Sequence, residues 1–204
     1  HELKKTNNKI TLVTRKKNHD ERYIYGNCNA KFDWCEALDG VDVVVHCAGV
    51  AHKMENTPEI IQSYYDVNTH GSINLATQAS NSVKLFIFLS SVKVHGEISP
   101  NTEISSSDNK NPLDDYAKSK LFAEEGIAQI CKDSEMNYIF IRPPLISGIP
   151  LKGNLKSLSK LINLGIPLPF GSLKFNKRAM ISIENLVDFV MVCMNPKSAY
   201  NQEF

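Results

Sequence analysis

Tyr116 and Lys120, in Asp115-Tyr116-Ala117-Lys118-Ser119-Lys120, are the residues whose types and spacing best suit chemistry. Four positions apart on a helix, they stack on one face. A phenol alone titrates at about 10 and is a poor base at neutrality. An ammonium held beside it favours the phenolate and lowers that value. The pair can then exchange a proton with a substrate oxygen near neutral pH. By itself this spacing more often marks a solvated helix face. Its neighbours favour chemistry. Upstream, Lys84-Leu85-Phe86-Ile87-Phe88-Leu89-Ser90-Ser91 is an apolar run ending in two hydroxyls. Downstream, Asn137-Tyr138-Ile139-Phe140-Ile141-Arg142-Pro143-Pro144 is another, stopped by prolines. A helix bearing Tyr and Lys between two buried strands, the first ending in Ser, has the geometry of a reaction site.

The elements that must position these residues follow the chain. Residues 9–14 and 22–25 read as short strands, with the basic loop Arg15-Lys16-Lys17 between them. A short helix is expected at 32–38. The β-branched run at 41–45 reads as a strand buried on both faces, leading into His46-Cys47-Ala48-Gly49, where small residues permit close approach to the backbone. Long helices are expected at 58–80 and 112–132, and further ones at 155–164 and 184–194. Alternating strands and helices predict a Rossmann-like, doubly wound parallel α/β sheet with ligands at the carboxyl ends of its strands. After 150 the texture changes to short segments broken by Gly and Pro. A division into 1–150 and a smaller lobe over 151–204 is expected. Ser105-Ser106-Ser107 reads as a flexible loop, and Glu124-Glu125 as a solvated helix face.

The chain has 204 residues and a formal charge of +1, which argues against a general binder of nucleic acid or membrane surfaces. The 5 cysteines form no Cys-x-x-Cys pair. They read as buried reduced thiols of a cytoplasmic protein, with no metal site expected. The opening His1-Glu2-Leu3-Lys4-Lys5 lacks the features of a signal peptide. Both ends are expected to be cut.

Four segments in order resemble the extended short-chain dehydrogenase/reductases, in the nucleotide-sugar epimerase/dehydratase group. Val44-Val45-His46-Cys47-Ala48-Gly49-Val50-Ala51-His52 resembles the family's fourth-strand segment. Asp66-Val67-Asn68-Thr69-His70-Gly71-Ser72-Ile73-Asn74-Leu75 resembles its Asn-Val-x-Gly-Thr-x-Asn-Leu helix. Ser90-Ser91-Val92-Lys93-Val94-His95-Gly96-Glu97 resembles its catalytic-serine segment, and Tyr116-x-x-x-Lys120 completes the set. The resemblance implies Tyr116 as acid/base, Lys120 as the residue that lowers its pKa and holds the nicotinamide ribose, and Ser91 as the hydroxyl on the reacting sugar oxygen. Ser90 is then structural. It also places Arg15, Lys16, Asn27, Cys28, Cys47, Ala48, Gly49, Pro143 and Leu145 against the dinucleotide. Asn27 stands where the family has Asp. The substrate side would be Lys93, Asn154, Leu155, Phe170 and Arg178, with Arg178 clamping phosphate through a guanidinium fork. His52 and His95 would lie near the sugar, His46 would pack near the cofactor, and Asn68 would bond backbone inside the fold. His19 and His70 carry no signal.

The dehydratases of this family carry Asp-Glu where Val92 and Lys93 stand, so elimination of water is not expected. What the resemblance implies is hydride transfer at C4 of a UDP-linked sugar. Reduction of a 4-keto-6-deoxy N-acetyl sugar is the leading expectation, 4-epimerisation the alternative, and a non-catalytic NAD(P)-binding protein the third reading. The basic loop after 14 favours NADP(H), with NAD(H) open. The family's Gly-x-x-Gly-x-x-Gly loop is absent ahead of Ile10, so the 1–150 unit is expected to lack its first strand and phosphate loop. A homodimer through the helices at 58–80 and 112–132 is expected.

Overall fold

The computed structural model describes residues 8–15, 23–51, 57–96, 103–148, 153–165, 177–195 and 197–204, the side chains of 153–155 excepted. Strand β1 (Leu12–Thr14) pairs in parallel with β2 (Tyr23–Tyr25). Helix α1 (Cys35–Leu38) leads to β3 (Val43–His46). Next come α2 (Pro58–Tyr64), a π-helical segment (Tyr65–Gly71) and α3 (Ser72–Ala79), then β4 (Leu85–Leu89). A 3-10 turn (Val92–His95) precedes α4 (Asp115–Lys132), which is followed by β5 (Asn137–Ile141). The later elements are β6 (Leu145–Ser147), α5 (Gly153–Asn163), β7 (Met180–Ser182), α6 (Ile183–Cys193) and β8 (Gln202–Glu203). The parallel α/β architecture agrees with the sequence. The strands β6, β7 and β8 were not anticipated there, because runs this short carry little pattern.

The central sheet runs β3-β4-β5-β8, all parallel. Alternation along β4 decides what covers it. Phe86 and Phe88 face α1, α3 and α4, whereas Leu85 and Ile87 face Leu186 and Cys193 of α6. The first four of the five β4 residues are fully buried, as a parallel strand covered on both faces requires. Among the described residues no helix is long and apolar enough to cross a membrane.

Local chemistry sets the two long helices. Pro58 occupies the first turn of α2, and Thr57 caps it by accepting from Ile60 N at 3.4 Å. The expected continuous helix over 58–80 widens at the π segment instead. There Asn68 accepts from Val50 N at 2.8 Å, donates to Val50 O at 3.0 Å and donates to Ser119 Oγ at 3.1 Å. Thr69 Oγ1 donates to Ser119 O at 2.7 Å. Widened turns of this kind often mark functional sites. Here the segment joins the end of β3 to the α4 helix. Gly71 ends it because a Cβ there would come within 2.7 Å of the Cys28 backbone and thiol.

Helix α4 begins two to three residues later than the pattern indicated. Asp114 is its cap and accepts from Ala117 N at 2.7 Å. Glu124 departs from the expected solvated face: it is 1% exposed, while Glu125 is exposed. The reason is spacing. Glu124 lies four residues beyond Lys120 on the inward face, where the Arg142 guanidinium meets it with Nε 2.9 Å from Oε1 and Nη2 2.6 Å from Oε2.

Candidate active site

Ser91 and Tyr116 meet at the carboxyl edge of the sheet. Ser91 lies just past β4, extended, and caps the 3-10 turn by accepting from Lys93 N at 3.3 Å. Tyr116 sits in the first turn of α4, half-buried, and its phenol oxygen takes a hydrogen bond from Ser91. Tyr64 packs edge-on against the Tyr116 ring, with centroids 5.8 Å apart. Burial raises the Tyr116 pKa above the ordinary phenol value; the Ser91 hydrogen bond and the Lys93 charge oppose that rise. The resting side chain is therefore a neutral phenol, suited to give a proton.

The role expected of Lys120 requires a correction. Lys120 does not bear on the Tyr116 titration here. Its Nζ donates to Leu89 O at 2.8 Å and lies 4.4 Å from the Phe88 ring centroid. Burial lowers its pKa to about 8. The two side chains share a helix face, and the Lys120 ammonium is bonded to Leu89 O. The cation that does lower the phenol is Lys93, whose Nζ is 2.7 Å from Asp114 Oδ2.

Lys120 instead faces the end of β3. A Cβ on Gly49 would stand 3.4 Å from its Nζ and 3.1 Å from Asn68 Oδ1. Cys28 and Cys47 lie within reach of its charge. Cys47, Ala48 and Gly49 are exposed although they follow a packed strand, so the backbone at this edge is open to solvent. Cys47 and Cys35 thus depart from the expected buried thiols, while Cys28, Cys131 and Cys193 are buried. His46 is buried, with Nε2 2.8 Å from Ser72 Oγ and its pKa pushed down to about 3 by burial.

The other sequence candidates scatter. Arg15 is exposed at the end of β1, Asn27 is half-buried, and Leu145 is 41% exposed on β6. Pro143 O accepts from Val92 N at 3.2 Å, which ties it to the turn after Ser91. Arg178 is exposed ahead of β7 and does not bear on Tyr116. Lys16, His19, His52 and Phe170 lie outside the described residues, as do the side chains of Asn154 and Leu155. His95 is committed internally: its Nε2 accepts from Arg142 Nη1 at 3.0 Å. Tyr64 and Asp114 were missed as site residues. The helix-capping pattern around Asp114 could have flagged that residue; Tyr64 reaches the site only through the fold. An open concavity of about 510 Å³ lies along the other half of α4, between Glu125, Gln129, Lys132, Tyr138 and Asn201, away from these groups.

Residues 1–198 match the NAD-dependent epimerase/dehydratase family. The chain belongs to that family. Among its relatives, a UDP-glucose 4-epimerase of Vibrio cholerae is 44% identical over 192 residues, 92% of this chain and 58% of that protein. An N-acetyl-alpha-D-glucosaminyl-diphospho-ditrans,octacis-undecaprenol 4-epimerase of Escherichia coli O157:H7 is 35% identical over 76% of this chain and 46% of its own length. The chain thus spans about half the length of these family members. The solved UDP-glucuronic acid 4-epimerase of Bacillus cereus, in complex with UDP-glucuronic acid and NAD, superposes with a TM-score of 0.76 at 21% identity, covering 91% of this chain and 60% of that one. At that identity the likeness establishes an epimerase/dehydratase fold.

Proposed function

We propose that this chain carries the proton-transfer and dinucleotide-holding residues of an NAD-dependent UDP-sugar 4-epimerase. The hydrogen bond between Ser91 and the Tyr116 phenol carries the reading: it gathers two hydroxyls where one sugar oxygen can meet both. Two relatives named as 4-epimerases support epimerisation over reduction of a 4-keto sugar. Val92 and Lys93 supply no carboxylate after Ser91, which weighs against elimination of water.

The residues at the end of β3 fit a dinucleotide. The cradle that a Cβ on Gly49 would crowd, the open backbone of Cys47 and Ala48, and the buried Lys120 ammonium are suited to hold ribose hydroxyls and keep the nicotinamide close to Ser91. A dinucleotide held there would supply the acceptor and donor of hydride at C4. Tyr116 would take the C4 hydroxyl proton as the phenolate, which the positive charge of an oxidised nicotinamide would favour, and later return it, with Ser91 steadying the same oxygen. NAD is taken as the cofactor because structural neighbours were solved with it. The exposed Arg15 is the remaining argument for NADP. We assign Asn154, Leu155, Phe170 and Arg178 to the UDP-sugar side, within a lobe over 151–204 that follows the dinucleotide unit over 1–150.

The expected outcome with the intact protein, NAD and a panel of UDP-glucose and UDP-N-acetylglucosamine is interconversion of C4 epimers, seen in the sugar proton spectrum, with no net change in reduced cofactor. Stoichiometric consumption of reduced cofactor on a UDP-4-keto sugar would replace epimerase with reductase. Binding of dinucleotide with neither reaction would leave a non-catalytic binder.

The outward face of α4 and the π segment supports a dimer. Phe122 is 46% exposed and stacks on Tyr65 at 6.2 Å. We expect two copies to pair there across a two-fold axis. Sedimentation giving only monomer at high protein concentration would reject this.

A further inference from the structure

Two ionic fastenings join the turn that carries Ser91 to the helix that carries Tyr116. The first lies at the helix start. Lys93 Nζ is 2.7 Å from Asp114 Oδ2, while Asp114 Oδ1 accepts from Ala117 N at 2.7 Å. One carboxylate therefore serves both the ammonium of the turn and an open N–H of the helix. The second fastening lies deeper. Arg142 Nη1 donates to His95 Nε2 at 3.0 Å, and its Nε and Nη2 fork onto Glu124. Residues two and four beyond Ser91 are thus held to residues on either side of Tyr116. Val94, between them, is fully buried.

The two fastenings differ in environment. The Arg142–Glu124 pair is sealed in the core, with side chains 2% and 1% exposed. The Lys93–Asp114 side chains are 32% and 41% exposed. A partly exposed pair adds little to stability. Its effect is to fix where the turn sits, and a reacting geometry displaced by about 1 Å can cost ~100-fold in rate.

We propose that Lys93 is a positioning residue: through Asp114 it holds the Ser91 turn against Tyr116, so that both hydroxyls reach one substrate oxygen. The substrate in this statement rests on the epimerase reading above. The fastening itself is tested without it.

Lys93→Met, Asp114→Asn and the double variant test the proposal in the intact, NAD-loaded protein. Asn retains the helix cap at 114. Each single change is expected to lower kcat about 10-fold, with the KM for UDP-sugar within about twofold of wild type. The double variant is expected to be no worse than either single one, because both break the same link. Lys93→Arg keeps the ion pair and should recover most of the rate. Losses that multiply in the double variant would overturn the proposal. So would a Lys93→Met effect confined to KM beside a harmless Asp114→Asn, since Lys93 would then be touching substrate.

A second measurement needs no turnover. With fluorotyrosine incorporated and Tyr116 assigned by comparison with Tyr116→Phe, the fluorine resonance reports its titration. Lys93→Met should raise that midpoint and Asp114→Asn lower it, because the two charges act on the phenol in opposite senses. No shift in either variant would refute the fastening even if the protein proved inactive on every UDP-sugar. Opposite shifts in an inactive protein would keep the fastening and reject the epimerase reading instead.

Discussion

Tyr116→Phe is expected to lower kcat by about 10²- to 10⁴-fold, the range for loss of a positioned acid/base, while the thermal midpoint and dinucleotide affinity stay near wild type. The substitution deletes one oxygen and keeps the ring. The edge contact with Tyr64 at 5.8 Å can therefore persist. Lys120 keeps its bond to Leu89 O at 2.8 Å, so the edge beside Gly49 is unchanged. What disappears is the group that moves a proton at the sugar oxygen, together with the partner of Ser91. The checks are steady-state kinetics on the UDP-sugar, quenching of protein fluorescence by NAD, and a melting curve. A variant within tenfold of wild-type turnover would mean that another group performs the proton transfer.

The largest effect on stability is expected at Arg142. Arg142→Leu strips Glu124, 1% exposed, of its bidentate partner, and also removes the guanidinium 2.7 Å from Glu203. Among the described residues the cation that remains against Glu124 is Lys110, at 3.7 Å and already paired with Glu203 at 2.8 Å. Leaving a buried charge without its partner costs about 3–5 kcal/mol. For a protein of this size that corresponds to a fall of roughly 10 °C in the melting midpoint. Replacing Glu124 by Leu as well should recover much of the loss, because the uncompensated charge is then gone. Urea unfolding of both variants is the measurement. A single-variant cost below about 1 kcal/mol would mean that Lys110 suffices, as for an exposed pair.

The frame of the site was legible in the sequence because its strands and helices are long or strongly patterned. The run at 85–89 could be little but a covered parallel strand. The spacing of Tyr116 and Lys120 placed both on the inward side of one helix. The sequence could not say where the tips of those side chains go. Lys120 turns to Leu89 O and the Gly49 cradle, so the cation acting on the phenol is Lys93, from a turn 23 residues upstream. Glu124 was misread for a related reason. Its burial depends on Arg142, which only the parallel pairing of β4 and β5 brings within range. Short strands such as Leu145–Ser147 and Met180–Ser182 exist because they pair with each other, information that no local run contains.

The π segment over Tyr65–Gly71 carries a consequence for how this chain can change in length. It puts two stretches of helix out of phase. The stretch before it aims Tyr64 at Tyr116, and the stretch after it aims Ser72 at His46 and seats Gly71 on Cys28. Seven residues of π turn sweep nearly the same angle as six of regular α, so losing one residue between 65 and 71 would return the winding to regular α with both stretches close to their present faces. A second loss, with no widened turn left to take it up, would rotate one stretch by about 100° relative to the other. Either the phenol would then lose its neighbour or Ser72 its place beside His46. The widened turn is therefore where this helix is expected to tolerate a change in length of one residue.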